Sequence, residues 1–116
     1  MLDQDHFSSY AMGRWLRSDR SGRPVRSAVT GETLGVLGGV PDTAAMRDYA
    51  KTQGGPALRA LNFHDRARML KALALHLKEH RKALYELSFL TGATLADSKI
   101  DIDGGIGTLL VYASKG

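Results

Sequence analysis

The sequence predicts an α+β chain, an N-terminal β-hairpin followed by several helices, on three observations. Over the first forty residues, short apolar runs alternate with turn-forming residues at close intervals, the pattern of short strands. From Pro41 the apolar period lengthens to that of a helix. Farther on, Leu70, Leu73, Leu77, Leu84 and Leu87 recur at three-, four- and seven-residue intervals, so one helical side is a continuous leucine stripe. Strands are expected over about residues 8–40 and helices over about 42–116.

Gly13-Arg14-Trp15-Leu16-Arg17 is the first candidate strand. Trp15 reads as a half-buried anchor, with a ligand platform as the other use of an indole. Ser18 to Gly22 has the composition of a turn; Val25 to Val29 extends beyond it, and Thr30-Gly31-Glu32 reverses the chain into Thr33 to Leu37.

Asp42 is placed to N-cap a short helix with Ala45, Met46 and Tyr49 on one side, and Gly54-Gly55 is expected to end it. Pro56 suits the first turn of another short helical piece reaching Leu61. Asn62 with Asp65 resembles a capping arrangement opening the leucine-striped stretch. Arg66, Arg68, Lys71, Lys78, Arg81 and Lys82 lie mostly off the stripe. The cluster Lys78-Glu79-His80-Arg81-Lys82 interrupts the apolar pattern and predicts a joint between two helices, the second closing at Gly92 in the left-handed conformation.

At 116 residues the chain has room for one small domain with a modest core. Sixteen basic against twelve acidic residues give a formal charge of +4, densest over Arg14–Arg26, which a solvated surface explains. A weakly basic nucleic-acid binder is a competing reading, but the basic residues alternate with acids and lack interleaved aromatics. There is no cysteine, which removes disulfides, thiolate metal sites and a cysteine nucleophile from this chain. Met1 to His6 carries two acids and no basic-then-apolar run, and no apolar stretch has the length of a bilayer span. These features predict a cytoplasmic protein with neither a membrane nor a nucleic-acid partner.

Two motifs invite chemistry. His76-Leu77-Lys78-Glu79-His80 fits H-x-x-E-H, which in inverted zinc peptidases places two ligands on one helical face. A zinc site also needs a third ligand and an open position, and Glu86, the nearest acid downstream, falls off that face. Surface or joint histidines are the alternative, and no metal ligand is assigned. Asp101-Ile102-Asp103-Gly104-Gly105-Ile106-Gly107 mixes acids with glycines, but Gly105 stands where a calcium loop wants an oxygen ligand, and G-G-x-G is not a dinucleotide fingerprint. Ile106, Leu109, Leu110 and Val111 predict a helix there, whose small residues admit either a closely packed segment or a bulky ligand.

Taken in order, Arg66-Ala67-Arg68-Met69-Leu70, Leu77, Leu84, Leu87, Thr91-Gly92, Asp97, Asp101, Asp103 and Tyr112-Ala113 resemble the N-terminal helical region of aldehyde dehydrogenases. Gly13 to Trp15 and Thr30-Gly31-Glu32 sit where that family has its opening strands. Gly55-Pro56-Ala57-Leu58-Arg59-Ala60, Thr91 to Thr94, Ala96-Asp97-Ser98, Asp101 to Leu109 and Tyr112-Ala113-Ser114 are similar to one branch. In that branch, of phenylacetate degradation, the dehydrogenase is fused to an enoyl-CoA hydratase that opens the oxepin-CoA ring. The resemblance runs from about Gly13 onward and rests on the order and spacing of motifs that are weak singly.

The resemblance implies that residues 1–116 are a truncated N-terminal part of a larger α/β aldehyde dehydrogenase fold. The intact enzyme would oxidise a CoA-linked semialdehyde to the acid with NADP, or NAD, as hydride acceptor, as a homo-oligomer. Its chemistry would be thiohemiacetal formation on a cysteine, hydride transfer and hydrolysis. The family's cysteine, glutamate, asparagine and nucleotide-binding segments are expected beyond Gly116, so no catalytic or cofactor-binding residue is assigned here and the chain alone is expected to be inactive. In the family a helix at the position of Asp103 to Tyr112 helps line the substrate entrance, which makes Gly104 and Gly105 the candidate residues for a widened mouth. A stand-alone helical interaction module is the alternative class, using leucines that a missing body would otherwise cover.

Overall fold

The computed structural model describes residues 6–16, 22–38 and 41–116. Within them the order is five short strands and then helices, the α+β arrangement expected. The chain divides into two compact units, Met1–Ala57 and Leu58–Gly116, where its length suggested one. The predicted turn at Ser18 to Gly22, apart from Gly22, and all but His6 of the N-terminal segment lie outside the described residues.

In the first unit, β1 (His6–Phe7) runs parallel to β5 (Thr33–Leu37), and β4 (Arg23–Arg26) pairs antiparallel with the other side of β5. A second hairpin pairs β2 (Ser9–Ala11) with β3 (Arg14–Leu16). Sequence reading found the β4–β5 hairpin and strand β3 but neither β1 nor β2. The β2–β3 connection is a two-residue turn, Met12-Gly13, with positive φ at both positions, 54° and 75°. That is the twist-matched turn of tight hairpins, normally announced by Asn-Gly and here disguised by a methionine.

The expected strand from Val25 to Val29 stops at Arg26 because Ser27 redirects the backbone. Its buried hydroxyl accepts from the Val29 and Thr30 amides, both at 3.2 Å, and its carbonyl accepts from the Gly31 amide at 2.9 Å. A hydroxyl that caps its own turn competes with the ladder, and here it wins. Pro24 is tolerated because β4 is a sheet edge, where a missing N–H costs no pairing. Gly35, at the centre of β5, lets the Phe7 ring lie directly on the strand: a Cβ there would stand 3.1 Å from the ring. Trp15 is 70% exposed, so it is not the half-buried anchor expected; it packs edge-on against its cross-strand neighbour Tyr10 on the outer face of the hairpin.

Asp42 caps α1 (Thr43–Tyr49), accepting from the Ala45 amide at 3.0 Å as the sequence predicts. The predicted stop at Gly54-Gly55 does not occur. The helix widens into a π turn over Ala50–Gly54 and continues as α2 (Gly55–Arg59). Glycine permits a left-handed stop without requiring one, and Gly55 stays right-handed at φ −58°. The wide turn also relieves the clash that Pro56 would make with a regular preceding turn.

In the second unit, Asn62 accepts from the Asp65 amide at 2.8 Å and starts α3 (Phe63–Glu79). The Asp65 carboxylate turns to Arg68 instead of closing the box. The predicted joint falls at His80, with φ −96° and ψ 7°, and α4 (Arg81–Phe89) follows. Gly92 takes φ +87°, the left-handed conformation expected of it. α5 (Leu95–Ser98), a π turn over Lys99–Asp103 and α6 (Gly104–Ala113) then form one continuous helix, of which α6 packs along α3 while α5 and the π turn lie against α4.

Among the described residues, the buried apolar side chains are Ala11, Ala74 and Ile106. Leu70, Leu77 and Leu84 of the stripe are half-buried, whereas Leu73 and Leu87 remain 47% and 43% exposed. The stripe is present as predicted, but the helices of this unit cover only part of it. Among the described residues, no helix is long and apolar enough to cross a membrane.

Candidate functional site

The segment around Gly104 and Gly105 is held from both sides. At its start a capping box fixes α5: the Thr94 hydroxyl accepts from the Asp97 amide at 3.2 Å, and the Asp97 carboxylate accepts from the Thr94 amide at 3.4 Å. Ser98 is wholly buried; its hydroxyl donates to the Thr94 carbonyl at 2.8 Å and lies 2.9 Å from the Ser88 hydroxyl, tying α5 to α4. One turn later the Tyr85 hydroxyl donates to the Asp103 carboxylate at 2.6 Å, so α4 also holds the residue just before the glycines. By accepting that hydrogen bond, the Asp103 carboxylate pushes the Tyr85 phenol above its ordinary pKa, with burial and the negative charge adding to the effect and Arg81 opposing it.

From that anchor α6 points Ile106 inward, where it is buried, and leaves Gly104 and Gly105 exposed. A Cβ at Gly104, Gly105 or Gly107 would meet nothing within 4 Å among the described residues. Among the described residues no segment packs closely on these small residues, and the glycines leave a helical face open. Beside it a shallow groove of about 220 Å³ is lined by Lys78, Arg81, Asp103, Ile106, Gly107 and Leu110. An open backbone face next to an apolar floor with two cations at its rim can admit a bulky, negatively charged ligand. Nothing in it resembles a nucleophile with a matched base.

The histidine motif is brought together elsewhere in the same unit. His76, Glu79 and His80 present ligand atoms within 4.8 Å of one another, all on exposed side chains, with the two imidazole centroids 4.4 Å apart. Glu86 is not part of this group. Sequence reasoning missed the Tyr85–Asp103 and Ser88–Ser98 bonds, because each joins residues from different helices and has no local spacing signal. The Thr94-x-x-Asp97 box has a local four-residue spacing, which the sequence reading did not take up as a cap.

No protein-family model matches the chain. Over 111 residues, 94% of its length, it is 36% identical to a 3,4-dehydroadipyl-CoA semialdehyde dehydrogenase of Aromatoleum evansii. The chain spans 22% of that curated relative's length. This similarity supports a relationship to the aldehyde dehydrogenases.

Proposed function

We propose that this chain is the N-terminal segment of an aldehyde dehydrogenase that oxidises a CoA-linked semialdehyde to its acid in aromatic, phenylacetate-type catabolism. The observation that carries the reading is the 36% identity maintained along 94% of the chain to a dehydrogenase of a CoA-linked semialdehyde. NADP, or NAD, is the hydride acceptor in this reading, the working assembly is a homo-oligomer, and the setting is cytoplasmic. The chain has no cysteine on which a thiohemiacetal could form, so the reaction belongs to parts of the dehydrogenase other than this segment.

What the segment supplies is scaffold and the open glycine face. Strands and a partly covered leucine stripe suit elements that lie against a larger body. Gly104 and Gly105 widen the substrate entrance, which their exposure and the free space above them support. The stand-alone interaction module is the second reading, favoured by the same exposed leucines.

A chimaera separates the readings. The matching N-terminal region of the Aromatoleum evansii relative is replaced by this chain, and nicotinamide reduction is followed with the CoA-linked semialdehyde. We expect the chimaera to be active and the isolated chain inactive. Placing Gly104→Leu in the chimaera should lower kcat/KM at least about tenfold, mainly through KM. A correctly assembled chimaera without activity, or turnover by the isolated chain, would overturn the proposal; unchanged kinetics in the leucine variant would remove the entrance role alone.

A further inference from the structure

We propose that His76, Glu79 and His80 form a surface site for a divalent transition-metal ion of the zinc, cobalt or nickel class, independent of the dehydrogenase reading. The sequence objection to such a site is the missing third ligand. In the folded chain Glu79 fills that place itself, since its carboxylate and both imidazoles lie within 4.8 Å of one another. Imidazole nitrogens with one carboxylate oxygen suit these ions, and three protein ligands leave a fourth tetrahedral position for water.

A second observation points the same way. The His80 Nδ1 lies 2.9 Å from the His76 carbonyl oxygen, and a carbonyl can only accept, so Nδ1 carries the proton and donates. In the neutral imidazole of that tautomer, Nε2 carries the free lone pair. A ring nitrogen that donates to a backbone carbonyl while the other faces the ion is the usual outer support of a metal-bound histidine. The same carbonyl also accepts from the His80 amide at 3.3 Å, so one atom fixes both the backbone and the ring of the ligand.

Position explains why the group assembles. His76 and Glu79 occupy the last turn of α3, and His80 is the residue at which the helix breaks before α4. The four-residue separation keeps the two rings on one side, 4.4 Å apart and tilted by 37°. A bound ion would tie the final turn of α3 to the joint, and because all three side chains are exposed, it would exchange with solution.

The test is calorimetric titration of zinc chloride into the tag-free 116-residue chain. The expected result is saturable binding of one equivalent. His76→Ala and His80→Ala should each weaken it at least about tenfold, Glu79→Gln should weaken it too, and His64→Ala should leave it unchanged. Cobalt in place of zinc should give the intense visible bands of four-coordinate geometry. Circular dichroism of each variant checks that the helices persist, as expected for exposed positions. A wild-type chain that binds no zinc, binds it no better than the His76→Ala/His80→Ala double variant, or yields only the pale spectrum of hydrated cobalt overturns the proposal.

Discussion

Tyr85 and Asp103 bond across eighteen positions of sequence, and that bond makes stability depend on alkaline pH. The phenol, ordinarily titrating at 10.0, is held higher because its proton is shared with a carboxylate. A raised folded value means that the neutral phenol is favoured by the fold. Its contribution is complete below the unfolded value and is lost as pH rises through the folded one. Urea denaturation at increasing pH should therefore show a loss of stability above about pH 10 that Tyr85→Phe flattens; parallel curves for the two proteins would count against the linkage. The glycines behave differently. Gly104 has ordinary helical angles, φ −63° and ψ −44°, and free space where a methyl group would go. Gly104→Ala should accordingly stabilise the isolated chain by about 0.5–1 kcal/mol in thermal or urea unfolding. A destabilised variant would mean that the face is packed after all.

Among the elements, α5 depends most visibly on a single side chain, since it is short and begins at the Thr94 box. Thr94→Ala should cost about 0.5–2 kcal/mol in urea denaturation and Thr94→Ser should recover most of it; equal losses in both would show that the hydroxyl is not the cause. Elements governed by such local chemistry were legible in the sequence. Asp42 and Asn62 cap where their side chains suggested, the joint falls inside the charged cluster, and Thr30 to Glu32 lies in the reversal before β5. What stayed hidden was set by partners distant in sequence or by residues with more than one allowed conformation. Strand β1 pairs with β5 across some thirty residues, which two residues of sequence cannot announce. Gly54-Gly55 reads as a stop and is helical, and Met12 takes a positive φ that its residue type disfavours. At the candidate site the glycines were legible as unusual; that their face is open was not, because openness is a property of what the other helices leave uncovered.

At the scale of the molecule, the helical unit leaves large apolar side chains in water. Phe63 and Ile100 are each 77% exposed, and Leu73, Leu87 and Met69 are exposed along with them. Burying such groups is worth roughly 1.5–3 kcal/mol for each side chain, so the isolated chain has a strong incentive to find a cover. We expect it to bind a hydrophobic dye and to show concentration-dependent size in solution, with Leu73→Glu/Leu87→Glu reducing both. A monomer at all concentrations that ignores the dye would contradict the idea that these elements lie against a larger body.

The wide turn at Lys99–Asp103 has a consequence for length variation. A π turn amounts to one surplus residue accommodated in a helix without rotating the turns beyond it. Excision of Ile100, whose side chain touches little, should let the backbone close to regular pitch while Ile106 keeps its inward bearing. Helical content and melting temperature close to those of the parent would bear this out, and collapse of the helical signal would refute it. On that outcome, a chain one residue shorter at this point would preserve the same glycine-bare surface, a slip in count rather than a change of architecture.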